Sequence, residues 1–339
     1  MWKAKSIEKN RKELLEKVWR ADNADATHWI RRSDPYVQHF NNLLLHSRTV
    51  SALEESRALT EVIRLVDLIR QAADQTSSLR YITEQIAASK PAWVSDSRDE
   101  EAIEAALCLA VGLWLFVTPC MTSLDVPLNQ AIKERLRQEL LPCSPSAFSP
   151  ASTLLTPDFS ADSLTRAGGI RLMWTSNLSE HLMLKGDEYL YIFCHARVLA
   201  QYQRTDERRM YPDGFLEEVL NTLYLLFPTG KVKHARRVRK IGKKHKVDIE
   251  AIRIDKQMAG ISRYQCSSYL YFGERLAAIQ AKYDGARPRH LKQWWFDRRN
   301  RREWAALWIA VGAFILAVVF GVISSVTGIM QVYASFYFR

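Results

Sequence analysis

Cys194 and His195 are adjacent, and His181 lies 13 residues upstream. A thiol and an imidazole are the parts of a nucleophile–base pair, provided the two side chains converge within hydrogen-bond reach. Neighbours on a strand point to opposite faces, so adjacency argues against a Cys194–His195 dyad, and His181 would have to approach either one through the fold. An enzyme with a site near His181, Cys194 and His195 is therefore the second reading of this chain, with no catalytic role assigned. The sequence has no G-x-x-x-x-G-K-[ST] phosphate loop, no G-x-S-x-G elbow and no H-E-x-x-H pair. The eight histidines show no metal-ligand spacing, so no metal and no cofactor is expected. Cys108, Cys120, Cys143, Cys194 and Cys266 are odd in number and form no C-x-x-C pair. They read as reduced thiols in a cytosolic body.

The second chemical feature is a charge run. Residues 231–246 hold nine cations and no acid: Lys231, Lys233, Arg236, Arg237, Arg239, Lys240, Lys243, Lys244 and Lys246. Such a run suits anionic lipid, nucleic acid or a solvated face. No aromatic side chain interleaves it for base stacking, which disfavours nucleic acid as the partner. The formal net charge is +11, and no charge lies between Trp304 and Phe338, so almost all of it belongs to the preceding body.

Elements that could position these groups are mostly helical. Leu59, Val62, Val66 and Ile69, then Leu79, Ile82 and Ile86, recur at steps of three and four. That spacing predicts core-facing helices. Residues 1–20, a helix opened by Pro127, and the stretch Phe215–Phe227 follow the same rule, and a further helix is expected around Leu270, Leu276 and Ile279. Ile170–Trp174 and Tyr189–Cys194 are short and β-prone, with Lys185-Gly186-Asp187 as a turn between them. Thr175 or Ser176 is the expected cap of a short helix carrying His181. Pro142, Pro145, Pro150 and Pro157 among serines read as a linker. The expected organisation is a helical lobe over 1–141, a linker over 142–166, a second lobe over 167–303, a transmembrane helix over 304–332 and a short external tail over 333–339. The fold class is mainly α, with a small β element near 169–194 and one C-terminal transmembrane helix.

The 35 uncharged residues from Trp304 to Phe338 exceed what a hydrocarbon core of roughly 30 Å requires. Trp304 and Trp308 mark one interface, Tyr333 and Tyr337 the other. Arg298, Arg299, Arg301 and Arg302 precede the span, and the positive-inside rule then places the body in the cytosol as a tail-anchored protein. Residues 1–13 offer no apolar run of the secretory type, and Asn177-Leu178-Ser179 should stay unglycosylated. Ala310, Ala317, Gly321, Ser325 and Gly328 lie on one stripe of small residues, which would permit self-association. A second apolar run, Ala105–Met121, is at the lower length limit for spanning and is expected to be a buried core helix.

The segment Gln293-Trp294-Trp295-Phe296-Asp297-Arg298-Arg299-Asn300, the apolar helix after it and Gly328-Ile329-Met330-Gln331-Val332-Tyr333 resemble a family of uncharacterised filamentous-fungal proteins with a single C-terminal transmembrane helix. Gly169–Thr175, Glu180-His181-Leu182, Leu225–Pro228 and Leu113-Trp114-Leu115 carry the likeness upstream. The resemblance implies topology and a fungal source, and no chemistry. In that family a charge commonly precedes the Leu-Trp-Leu; Gly112 stands there in this chain. A further alternative is a degenerate CorA-like transporter, whose Gly-Met-Asn signature Gly328-Ile329-Met330-Gln331 echoes distantly. The sequence therefore favours a non-enzymatic, membrane-anchored interaction or tethering module.

Overall fold

The computed structural model describes residues 4–20, 34–46, 55–74, 77–91, 99–140, 153–230, 232–249, 264–286 and 301–337. The N-terminal helices are α1 (Ala4–Trp19), α2 (Asp34–His46), α3 (Glu55–Asp74), α4 (Leu79–Ser89), α5 (Glu100–Leu115) and α6 (Leu128–Leu140). The expected stripes are the buried ones: Leu59, Val62, Val66 and Ile69 on α3, and Leu79, Ile82 and Ile86 on α4. Ser78 caps α4 by accepting from the Tyr81 amide, and Lys90 ends it in the left-handed region at φ 45°.

α5 holds most of the Ala105–Met121 run. Asp99 caps its start, and Glu100 and Glu101 in the first turn suit the positive end of the helix dipole. After Glu104 the helix carries no charge, and from Leu109 to Leu115 every residue is buried, as a helix apolar all round requires. α1, α2, α3 and α4 pack against it. Its C-terminus is buried too, so its last carbonyls cannot turn to water. His39 Nε2 donates to the Gly112 carbonyl (3.2 Å), Trp19 Nε1 to Leu113 (3.1 Å), the Tyr202 hydroxyl to Trp114 (2.6 Å) and the Tyr211 hydroxyl to Leu115 (2.8 Å). The Leu178 amide donates to Phe116, itself left-handed at φ 56°. These donors come from both sides of the proline-rich segment. A buried carbonyl left alone costs about 1–3 kcal/mol, and these donors remove that penalty at the buried end.

The remaining elements are α7 (Ala161–Arg166), β1 (Arg171–Thr175), β2 (Leu184–Lys185), β3 (Tyr189–Phe193), α8 (Ala196–Tyr202), α9 (Phe215–Leu226), α10 (Val232–His245), α11 (Gly273–Gly285) and α12 (Arg301–Tyr337). The three strands lie in the order β1-β3-β2. β1 and β3 are parallel, with Arg171 opposite Tyr189 and Thr175 opposite Phe193. β2 and β3 form a hairpin whose Gly186 and Asp187 both have positive φ, as a type I′ turn requires. The short helix before His181 is a 3-10 turn, Leu178–Glu180, capped by Asn177 rather than by Thr175 or Ser176. Thr175 belongs to β1, and its hydroxyl instead donates to Glu180 (2.7 Å).

Residues 153–166 of the expected linker are structured. Leu154 bridges to Gln265, the Leu155 amide donates to the Tyr264 carbonyl, and a Ser160–Ser163 capping box opens α7. One hydrophobic cluster runs from Leu14 in α1 to Tyr283 in α11, drawing on both expected lobes. Leu270 is exposed and precedes α11; the chain there is tied down by Glu218, whose carboxylate accepts from the amides of Leu270, Tyr271 and Phe272.

α12 is different in kind. Its 37 residues span about 55 Å at ~1.5 Å each. Phe314, Leu316, Phe320, Ile329 and Met330 are all exposed. The fold is thus a helix-rich body with a small sheet, and a C-terminal helix long and apolar enough to cross a membrane.

Candidate functional site

Two places could carry function, the end of the parallel strand pair and the C-terminal helix. At the first, β1 and β3 deliver Ser176 and Cys194–His195 side by side. His195 Nε2 lies 2.8 Å from Ser176 Oγ, and Cys194 Sγ lies 4.0 Å from the same oxygen. The parallel register brings Ser176 there, since Thr175 pairs with Phe193. The imidazole of His195 is shut inside rings: Phe116 stacks on it at 4.8 Å between centroids, with Tyr36 at 4.8 Å, His39 at 5.4 Å and Phe193 at 5.5 Å. Among the described residues its buried Nδ1 has no hydrogen-bond partner.

Asp248 is close through the backbone. Its amide donates to the Cys194 carbonyl, and its carbonyl accepts from Ala196. Its carboxylate accepts from the Tyr36 hydroxyl (2.8 Å) and lies 3.6 Å from Arg197 Nε. Both of these contacts are made by the Oδ2 oxygen of Asp248.

Burial first, and then His39, push His195 well below its ordinary value. Burial pushes the Cys194 thiol up to about 12. Both shifts favour the neutral forms, whereas a nucleophile–base pair must form a thiolate or alkoxide beside an imidazolium.

His181 stands apart from this pair although it touches the same strand. Its Nδ1 accepts from the Phe193 amide (3.1 Å), so Nε2 carries the proton and donates to Thr222 Oγ1 (2.8 Å). Both nitrogens are used, and burial, then Arg275, lower its pKa to about 3. The Arg275 guanidinium donates to the carbonyls of Ser179, His181 and Glu139. His181 thus acts as a joint between β3 and α9.

Sequence reasoning missed Ser176, His39, Tyr36 and Asp248 at the strand ends. It also missed Glu207, which is buried with Arg20 Nε at 3.4 Å and Arg70 Nε at 3.6 Å, the Arg70 guanidinium lying 5.0 Å from the Trp114 ring. Among the described residues no group of three or more His, Cys, Asp or Glu side chains could hold a metal ion.

At the second place, Tyr333 and Tyr337 stack at 5.0 Å near the end of α12, and Trp308 is partly exposed near its start. Trp304 falls in the first turn of α12, its side chain outside the described ones. The apolar window is Trp308–Tyr337, reaching beyond the expected 304–332 at its far end. Ala310, Ala317, Gly321 and Ser325 are exposed, Gly328 partly so, and a Cβ added at Gly321 or Gly328 would meet nothing within 4 Å. Ser325 Oγ donates to the Gly321 carbonyl (2.9 Å), a bond that a hydroxyl in lipid needs.

The basic run is α10 and the residue after it. Arg236, Arg237, Arg239, Lys240, Lys243, Lys244 and Lys246 are exposed, Lys231 lies outside the described residues, and nothing is described of the Lys233 side chain. No protein-family model, no curated protein and no solved structure matches this chain.

Proposed function

We propose that this chain is a single-pass membrane protein whose helix-rich body faces the cytosol and holds partners at the membrane without chemistry of its own. The observation that carries the reading is the contrast between its two apolar helices. α5 is wrapped by the body and its carbonyls are capped; α12 presents Phe314, Phe320 and Ile329 outward, with no part of its apolar window buried. Soluble proteins do not leave apolar surface of that extent in water. The arginines at 298, 299, 301 and 302 support the cytosolic side for the body. The likeness to the fungal family supports the same topology.

The Ser176–His195 contact favours an enzyme. That reading needs an imidazolium inside a shell of aromatic rings, and the direction in which His195 is shifted opposes it.

Extraction of membranes with alkaline carbonate tests the anchor. The chain should stay in the pellet. Val318→Arg with Val319→Arg, each costing about 2.5–3.5 kcal/mol at a helix centre, should release it to the supernatant. A wild-type chain released by carbonate would remove the reading.

A further inference from the structure

α10 is docked by a narrow apolar edge. Val238 is buried and Ile241 partly so, and the His245 ring lies against Trp174 at 5.8 Å between centroids. Turning 100° per residue from that edge puts Arg236 and Lys243 at the middle of the opposite face, Lys240 and Arg239 about 50° to either side of it, and Lys244 at its border. All four are exposed. Arg236 and Lys240, and Lys240 and Lys244, are four apart, and Lys240 and Lys243 are three apart. Side chains at these spacings meet on the helix surface, and like charges there repel.

The nearby acid does not relieve this. Asp162 takes Arg237, at the flank of the face, at 2.9 Å. Among the described residues the helix thus keeps a cationic face whose Arg236, Lys240, Lys243 and Lys244 meet no carboxylate.

Distance supplies the second argument, which rests on α12 being the anchor. Fourteen residues separate Ala286 from Arg301, a reach of at most about 50 Å. A cytosolic body held within that distance of the span lies close to lipid headgroups, where each basic side chain near an anionic surface gains attraction. A flat negative surface fits a straight helix carrying cations along one side. It asks for no base-stacking ring, and α10 offers none on that face.

We infer that the outward face of α10, centred on Arg236, Lys240 and Lys243 with Lys244 at its border, is a docking surface for the anionic headgroups of the membrane that α12 spans, laying the body down on the bilayer.

The test is hydrogen exchange on the full chain in nanodiscs, one set of phosphatidylcholine alone and one with about a third phosphatidylserine. Exchange of amides 232–246 should slow on the order of ten-fold on the anionic discs, and the difference should vanish in 1 M salt, where the Debye length is about 3 Å. The variant Arg236→Gln, Lys240→Gln, Lys243→Gln, Lys244→Gln should exchange equally on both discs. Unchanged exchange in α5 shows that the variant is folded. Equal exchange of the wild type on both discs overturns the inference and leaves the anchor standing. A chain that enters neither disc overturns the anchor, and this inference with it. Stronger protection from a single-stranded RNA on neutral discs than from anionic lipid overturns lipid as the ligand.

Discussion

The indole nitrogen of Trp19 donates to the carbonyl of Leu113, 94 residues away, at 3.1 Å. The bond joins the last residue of α1 to the buried end of α5. It is one of four side-chain bonds that let an apolar helix terminate inside the body. Trp19→Phe keeps a ring against Phe116 and strands the carbonyl. It should cost about 1–3 kcal/mol in a denaturant titration of the full chain in mild detergent, and Tyr202→Phe should cost a similar amount. No loss in either would mean that α5 is seated by apolar packing alone.

Stability should fall in mild acid. Burial holds His39 at about 4 and His181 at about 3, with His195 also shifted down. The unfolded chain binds these protons near pH 6.5 and the folded chain does not. Stability from these groups is therefore complete above that value and drains as pH falls toward the folded pKa values. Each histidine contributes up to ~1.4 kcal/mol per pH unit in that window. Denaturant midpoints should be level from pH 8 to 7 and drop steadily from 6.5 to 4. A midpoint indifferent to pH over the lower range would contradict the buried neutral imidazoles.

How much of this was legible follows from how far apart the partners are. The stripes Leu59–Ile69 and Leu79–Ile86, the turn at Lys185-Gly186-Asp187 and the uncharged stretch of α12 are local patterns, and each appears where its period or composition put it. The strand-end cluster is not local. Ser176 meets His195 because of a parallel register, and Tyr36, His39 and Asp248 arrive from α2 and from the segment after α10. None of these residues has a spacing that marks it. Leu270 is expected in a helix with Leu276 and Ile279, but it lies six and nine residues from them, off their stripe, and Glu218 holds its amide outside α11.

Cys194 should be chemically quiet. Its thiol is buried and pushed up to about 12, and Cys266 is pushed up to about 11 by the same cause. Iodoacetamide at pH 8, followed by peptide mass mapping, should leave both unmodified in the folded chain and modify both in denaturant. Rapid alkylation of Cys194 in the folded chain would instead favour a nucleophile at the strand ends, and with it the enzymatic reading.

The central claim, a body held in the cytosol by α12, is tested most directly by protease protection in sealed microsomes carrying the full chain. Protease added outside should cleave the body and leave a small fragment containing Trp308–Tyr337 in the membrane, with Asn177 unglycosylated throughout. A body that survives until detergent opens the vesicles, or that carries a glycan at Asn177, would contradict the account.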